Sequence, residues 1–338
     1  MRQRINVPDF DLAATLDCGQ AFRWKRGGDA WYVGVVGREV WRLRQEGHTL
    51  EWETDPKPTP NPSKEGNFGL HSKKRNSGLC TKNRDSVIPS SGGAGGGLSE
   101  MHITKYLSLD RSLPAIVATF PVDNAPLHAA VRRHWGLRVL RQEPWECLAS
   151  FIASSSKQIV QIRQIVELLA NRFGEPITNA DGRARWPQRA EDPRLGEATE
   201  PYHSFPSVGV IARASHEHLL ACKLGFRAKY LLATARMIDN GDVKLDALRS
   251  MEYERALEEL VRLPGVGEKI ANCVLLFSCG FDEAFPIDVW IERALRRLYF
   301  PRKHNVTHRQ LREFARSHFG PYAGWAQQCL FFSERMRK

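Results

Sequence analysis

The chain has 338 residues, and its 49 lysines and arginines exceed 38 aspartates and glutamates by +11. That length holds two domains with a sizeable apolar core, and the basic excess points to a polyanionic partner, most often nucleic acid. Seven scattered cysteines without a Cys-x-x-Cys pair argue against a zinc site, an iron–sulfur cluster or a disulfide framework; with no apolar run of membrane-spanning length, a cytoplasmic protein with reduced thiols is expected.

The first elements read as β structure. Residues 30–36, AWYVGVV, and 39–45, EVWRLRQ, are rich in Val, Trp and Tyr and flank Gly37 and Arg38, which suits a hairpin. TLEWET at 49–54 adds a third strand with Leu50 and Trp52 on one face. Prolines at 56, 58, 60 and 62, the basic run Lys73-Lys74-Arg75 and SSGGAGGG then fill residues 55–100. So little apolar material predicts a disordered insert. HITKYLSLD at 102–110 is expected to resume the sheet as a strand.

From Leu113 onward apolar residues recur every three or four positions, so helices are expected through 144–174, 216–239 and 253–263, with further starts near Asp288 and Thr307. The fold class is α+β: a β-rich N-terminal domain over 1–110, interrupted at 55–100, followed by a larger all-α domain over 111–338.

Candidate chemistry lies in RLPGVGEKIANC, residues 262–273. Pro-Gly-Val-Gly joins two helices, and its glycines permit positive φ and close backbone approach. The first N–H groups of the following helix then face outward with the positive end of its dipole, a seat for phosphate. A plain helix–helix turn explains the same letters. Lys269, in the first helical turn where the dipole disfavours a cation, becomes a neutral nucleophile if it is buried. Nineteen residues on, Asp288 in FPIDVW suits a helix N-cap and also a catalytic carboxylate.

The hairpin with its downstream Pro-x-Asp resembles the helix-hairpin-helix superfamily of base-excision DNA glycosylases. CGQAFRW at 18–24, EPWECLASFIASS at 143–155, YHSFPS at 202–207 and GPYAGWAQQCLFF at 320–332 narrow the resemblance to the 8-oxoguanine DNA glycosylase family. The resemblance implies that Lys269 attacks the sugar of an extruded nucleotide, forms a Schiff base and cleaves the strand by β-elimination, with Asp288 stabilising the developing positive charge. It further implies that the Gly19 carbonyl tests N7 of the base, that Gln327 reads the Watson–Crick edge, and that Phe331 and Cys273 sandwich the ring. Gly265, Val266 and Gly267 are then expected to contact the DNA backbone, with Ser156, Gln161 and Arg227 near the base left behind.

Family members strict for cytosine opposite the lesion carry asparagine and arginine where this chain has Ser156 and Gln161, so a weakened cytosine preference is expected. Duplex DNA containing oxidised guanine is the implied partner, with no cofactor, no metal, no membrane and a monomeric chain. Two other readings stay open on the residues alone: a monofunctional glycosylase for other damaged bases, and a non-catalytic helix-hairpin-helix DNA-binding protein.

Overall fold

A computed structural model of the chain describes residues 2–28, 30–54, 97–178, 201–303 and 305–337. Five antiparallel strands, β1 (Arg2–Asn6), β2 (Trp24–Arg26), β3 (Tyr32–Val36), β4 (Glu39–Glu46) and β5 (Thr49–Thr54), form one sheet in the order β1-β5-β4-β3-β2. The expected β3–β4 hairpin forms: Val36 pairs with Glu39, and Gly37 turns the chain with φ +61°. The third expected strand is β5, whose Leu50 and Trp52 are buried with Trp24, Trp41 and Leu43 on one face of the sheet. Short α1 (Leu12–Asp17) packs on the same core, its Asp11 N-cap accepting from Ala14 N.

The strand expected at 102–110 is instead helix α2 (Gly97–Tyr106). Ile103 and Leu107, spaced by four residues, are both buried in the sheet core, and the Trp24 indole donates to Tyr106 Oη at 2.9 Å. Apolar positions 103, 106 and 107 satisfy a helical period as well as alternation does. The N-terminal strand β1, in register from Arg2–Glu53 to Asn6–Thr49, occupies the β5 edge. Residues 97–100 therefore belong to a helix; the disorder expected from 55 to 96 falls on positions outside the described residues.

The helical part comprises α3 (Leu113–Val117), α4 (Ala125–Arg133), α5 (Pro144–Ser154), α6 (Ile159–Phe173), α7 (Val208–Ala212), α8 (His216–Ala221) and α9 (Arg227–Asp239). A 3-10 turn at Leu245–Ser250 leads to α10 (Tyr253–Val261) and α11 (Glu268–Val274), which runs on as a π turn at Leu275–Cys279. Helices α12 (Val289–Tyr299), α13 (His308–His318) and α14 (Ala323–Arg335) complete it. Asp288 and Thr307 are the expected N-caps of α12 and α13.

Arg23 ties the sheet to the helical part, and contacts between distant stretches fasten the helices to one another. Arg23 Nη2 donates to His203 O at 2.6 Å, and the Trp145 indole donates to Pro206 O at 2.9 Å. Asp282 accepts from Arg111 Nη2 and from the Trp325 indole, while its carbonyl receives Gly324 N at 2.7 Å. A Cβ on Gly324 would collide with Leu276 and with Ala284 O, so only glycine lets α14 lie this close to the segment after α11. Among the described residues no helix is long and apolar enough to cross a membrane.

Candidate active site

The hairpin between α10 and α11 is built as the sequence implies, with one difference. Gly265 has φ +77°, and a Cβ there would lie 2.7 Å from the Tyr230 Cβ. This glycine therefore serves both positive φ and close approach to α9, reinforced by the Thr234 hydroxyl donating to Pro264 O at 2.9 Å. Gly267 does neither: it is the N-cap of α11 at φ −93°, with open space where a Cβ would stand. Val266 between them is buried.

Lys269 is the second residue of α11 and is half-buried. Its Nζ lies 5.2 Å from the centroid of the Phe151 ring on α5. Asp288 begins α12, its Oδ1 accepting from Trp290 N at 3.0 Å and Ile291 N at 2.9 Å. Burial raises the Asp288 pKa above the usual carboxylate value, against the opposing pull of the Ile291 N–H and the Lys269 charge. One turn after Lys269, Cys273 is buried, and burial pushes its thiol up to about 11; the Lys269 charge lowers it and Asp288 raises it. The three groups thus share one electrostatic site at the starts of two helices, with Cys273 a neutral thiol at physiological pH.

The Gly19 loop is fixed from below and from the side. Buried Gln20 donates from Nε2 to Thr15 O and Arg138 O, and its Oε1 accepts from Leu140 N. Gly19 has φ +86°, and a Cβ would lie 2.8 Å from Ile159 Cδ1. Helix α14 grips the preceding residues: Gln328 Nε2 donates to Cys18 O at 3.4 Å and Arg335 Nη1 to Asp17 O at 3.2 Å. The same helix carries the buried Gln327 and the half-buried Phe331. Gln327 Nε2 donates to Pro286 O at 3.1 Å, while its Oε1 is buried without a partner. A buried acceptor of this kind normally has a hydrogen bond, so the orphaned oxygen marks a place for a donor.

The residues expected beside the opposite base are placed differently from one another. Ser156 is exposed at the α5–α6 turn with φ +54°. Gln161 is exposed, but its Oε1 accepts from Gln158 N at 3.2 Å and caps α6. Arg227 is buried and turned inward: Nε and Nη2 both donate to Ser155 O, and Nη1 donates to Leu224 O at 3.2 Å. Burial lowers its pKa. The arginine holds the carbonyl next to Ser156 and does not project from the surface.

Ile159, Gln328 and Phe151 also shape the site. The first two escape sequence reading because each meets residues 18–19 only across a long stretch of chain. Phe151 lies inside the stretch EPWECLASFIASS, but helical spacing marks it only as core.

Profile comparison matches residues 3–148 to the N-terminal domain of 8-oxoguanine DNA glycosylase. Residues 149–319 match the HhH-GPD superfamily of base excision DNA repair proteins. The chain belongs to this family. The N-glycosylase/DNA lyase OGG1 of Arabidopsis thaliana is 28% identical over 341 residues, covering 98% of this chain and 79% of the relative. The N-glycosylase/DNA lyase of Saccharomyces cerevisiae is 31% identical over 265 residues, covering 69% and 66%. Among solved structures, the Clostridium acetobutylicum 8-oxoguanine glycosylase/lyase bound to double-stranded DNA with cytosine opposite 8-oxoguanine superposes with a TM-score of 0.75. It is 26% identical, with 99% of this chain and 97% of the other covered. MBOgg1 in complex with a low affinity DNA ligand gives a TM-score of 0.76 at 28% identity, covering 99% and 95%. Glycosylase-family membership thus extends over both the sheet and the helical part of the chain.

Proposed function

We propose that this chain removes 8-oxoguanine from duplex DNA and then cuts the strand, using Lys269 as nucleophile and Asp288 as its acidic partner. The observation that carries the reading is the union, through α14, of the Gly19 loop with Gln327. One helix bonds Cys18 O through Gln328 and, at the neighbouring residue Gln327, keeps a buried oxygen without a partner, an acceptor open to the N–H groups of a base edge.

The chemistry follows from the groups present. Guanine and 8-oxoguanine differ at N7, an acceptor in the first and an N–H donor in the second. The Gly19 carbonyl accepts a hydrogen bond from the oxidised base and meets a lone pair on the normal one. Leaving such a buried group unpaired costs roughly 1–3 kcal/mol. Gln327 Oε1 accepts from the N–H groups of the Watson–Crick edge, and Phe331 and Cys273 supply opposite walls for the ring.

With the base held, the Lys269 amine, once it has given up its ammonium proton, attacks C1′; the C1′–N9 bond breaks with its electron pair on the base, which takes up the proton that the attacking nitrogen releases. Asp288 stabilises the positive charge that develops on the sugar. Opening of the sugar gives a Schiff base between C1′ and Nζ. Loss of a C2′ proton then expels the 3′ oxygen with its phosphate, which cuts the strand. The exposed start of α11, flanked by Gly265 and Gly267, offers backbone N–H groups to a phosphate. We read the protein as a cytoplasmic monomer, associated with the nucleoid if its source is prokaryotic. The six described cysteines are all free and buried, which suits a reducing compartment.

Duplexes carrying one 8-oxoguanine, one alkylated purine or no lesion, incubated with the protein and resolved on a denaturing gel, test this reading. Base release and nicking confined to the 8-oxoguanine duplex are expected. Release without nicking would favour a monofunctional glycosylase, and binding without release a non-catalytic DNA-binding protein.

A further inference from the structure

Lys269 has an unusual environment for a residue assigned as a nucleophile. Among the described residues its Nζ makes neither a hydrogen bond nor an ion pair; Asp288 and Cys273 feel its charge, and the group that meets its tip is the ring of Phe151, 5.2 Å from nitrogen to centroid. A lysine side chain has several rotatable bonds, and fixing its amine in one place needs a compensating interaction. At the second position of α11 the helix dipole works against a positive charge. The carbonyl and carboxylate acceptors that usually fix an ammonium are not bonded to it.

The Phe151 ring is itself held. Phe277, eight residues after Lys269 on the π turn that extends α11, stacks on it at 5.6 Å with an interplanar angle of 19°. Phe22, three residues after Gly19, meets it edge-on at 5.5 Å and 72°. Phe277 is in turn tied through its carbonyl to Gln142 N at 2.7 Å, and Gln142 Nε2 donates to Gln20 O, also at 2.7 Å. The ring below the amine is thus braced by the loop that carries the proposed lesion reader Gly19 and by the continuation of the helix that carries Lys269.

We propose that Phe151 is a positioning residue for the Lys269 nucleophile, its ring face setting where the amine stands. The inference rests on the assignment of Lys269 as nucleophile. An ammonium is held over the ring by attraction to its negative face. Once the proton has left, the neutral amine keeps a weaker N–H···π contact with the same face. The ring therefore holds nitrogen through the protonation change that precedes attack. Because a small misplacement of a reacting atom can cost about 100-fold in rate, this contact acts on the chemical step and leaves DNA binding alone.

The test replaces Phe151 by mono-, di- and trifluorophenylalanine, which nearly conserve ring shape while weakening the negative face. Single-turnover excision of 8-oxoguanine, dissociation constants for a duplex with a tetrahydrofuran abasic analogue, and melting temperatures are measured across the series. The expected result is a stepwise loss of excision rate with fluorine number, reaching about tenfold, at unchanged affinity and melting temperature. Phe151→Leu should lose at least as much rate, and Phe151→Tyr, which keeps the ring, should retain most of it. Phe319→Leu, in a stacked Phe285–Phe319 pair elsewhere in the core, calibrates what lost packing alone does to the rate. A flat or rising rate across the fluorinated series would overturn the proposal. Borohydride trapping of the unsubstituted protein separates the two levels: with an adduct at Lys269 and a flat series, only the role of Phe151 falls. With no adduct, the nucleophile assignment falls first.

Discussion

Gln327 donates from Nε2 to the carbonyl of Pro286, two residues before Asp288, and leaves its own Oε1 buried with no partner. The side chain proposed to read the base edge is thereby anchored to the segment that delivers the acidic residue. One hydrogen bond links the proposed recognition and the proposed chemistry.

Gln327→Leu should weaken both lesion affinity and excision, by roughly 1–3 kcal/mol if a hydrogen bond to the base is lost. The fold itself should not suffer in proportion, because the substitution also removes a buried oxygen that nothing satisfies in the free protein. Affinity for an 8-oxoguanine duplex and the melting temperature of the free protein check the two halves. Full activity in the leucine variant would remove Gln327 from the site.

Gly19→Ala should be costly for two separable reasons. A left-handed residue with a Cβ costs roughly 1–2 kcal/mol, and the added methyl would press on Ile159 Cδ1 at 2.8 Å. Displacing the loop moves the carbonyl proposed to test N7, so preference for 8-oxoguanine over guanine should fall along with stability. In the double variant Gly19→Ala, Ile159→Ala, relief of the clash should restore part of the melting temperature and leave the φ cost. Unaltered discrimination in Gly19→Ala would contradict the role of this carbonyl.

Asp288→Asn separates cap from catalyst. Asparagine caps a helix about as well as aspartate, so α12 should survive while excision falls at least about 100-fold. The pH dependence has a definite sign. Burial raises the Asp288 pKa, so folding favours its protonated form. The stability this contributes is fully present below the ordinary aspartate value, about 3.9, and is lost as pH rises through the raised folded value. Relative to Asp288→Asn, the unsubstituted protein should therefore lose stability on going from acid toward neutral pH, whereas its excision rate should rise over the same span. Parallel melting curves and single-turnover rates from pH 4 to 8 measure both. A stability difference that grows toward neutral pH would contradict the assigned shift.

Preference for the opposite base should be shallow. Arg227 must release Ser155 O before it can reach a cytosine, and Gln161 is engaged in capping α6. Excision opposite C should exceed that opposite T, G and A by less than the roughly 1–3 kcal/mol that a well-placed base contact supplies. Arg227→Ala should loosen the α5–α6 turn and lower excision opposite all four bases. Steep discrimination for C that collapses selectively in Arg227→Ala would show the arginine turned outward onto the base.

Much of this site is legible in the sequence because its groups lie in short local motifs. Gly265, Lys269 and Cys273 fall within nine residues, and the N-cap role of Asp288 follows from the residues around it. The β3–β4 hairpin is equally local, since Gly37 and Arg38 alone fix its register. What sequence could not supply is long-range. The β1 strand finds its partner β5 some 50 residues away, which leaves 102–110 free to be read as strand when its first five residues belong to helix α2. The inward turn of Arg227 depends on a carbonyl 72 positions earlier, and the Phe22–Phe151–Phe277 cluster draws on three distant segments. Helical spacing marks such residues as buried but does not say what they face.

The central claim is that Lys269 becomes covalently joined to the sugar. Incubating the protein with a 5′-labelled 8-oxoguanine duplex in the presence of borohydride reduces any Schiff base to a stable amine, and peptide mapping locates the adduct. The account predicts a trapped complex on Lys269 with the unsubstituted protein and none with Lys269→Gln, while the variant still binds the damaged duplex. An adduct on another residue, or base release by Lys269→Gln at the normal single-turnover rate, would contradict it.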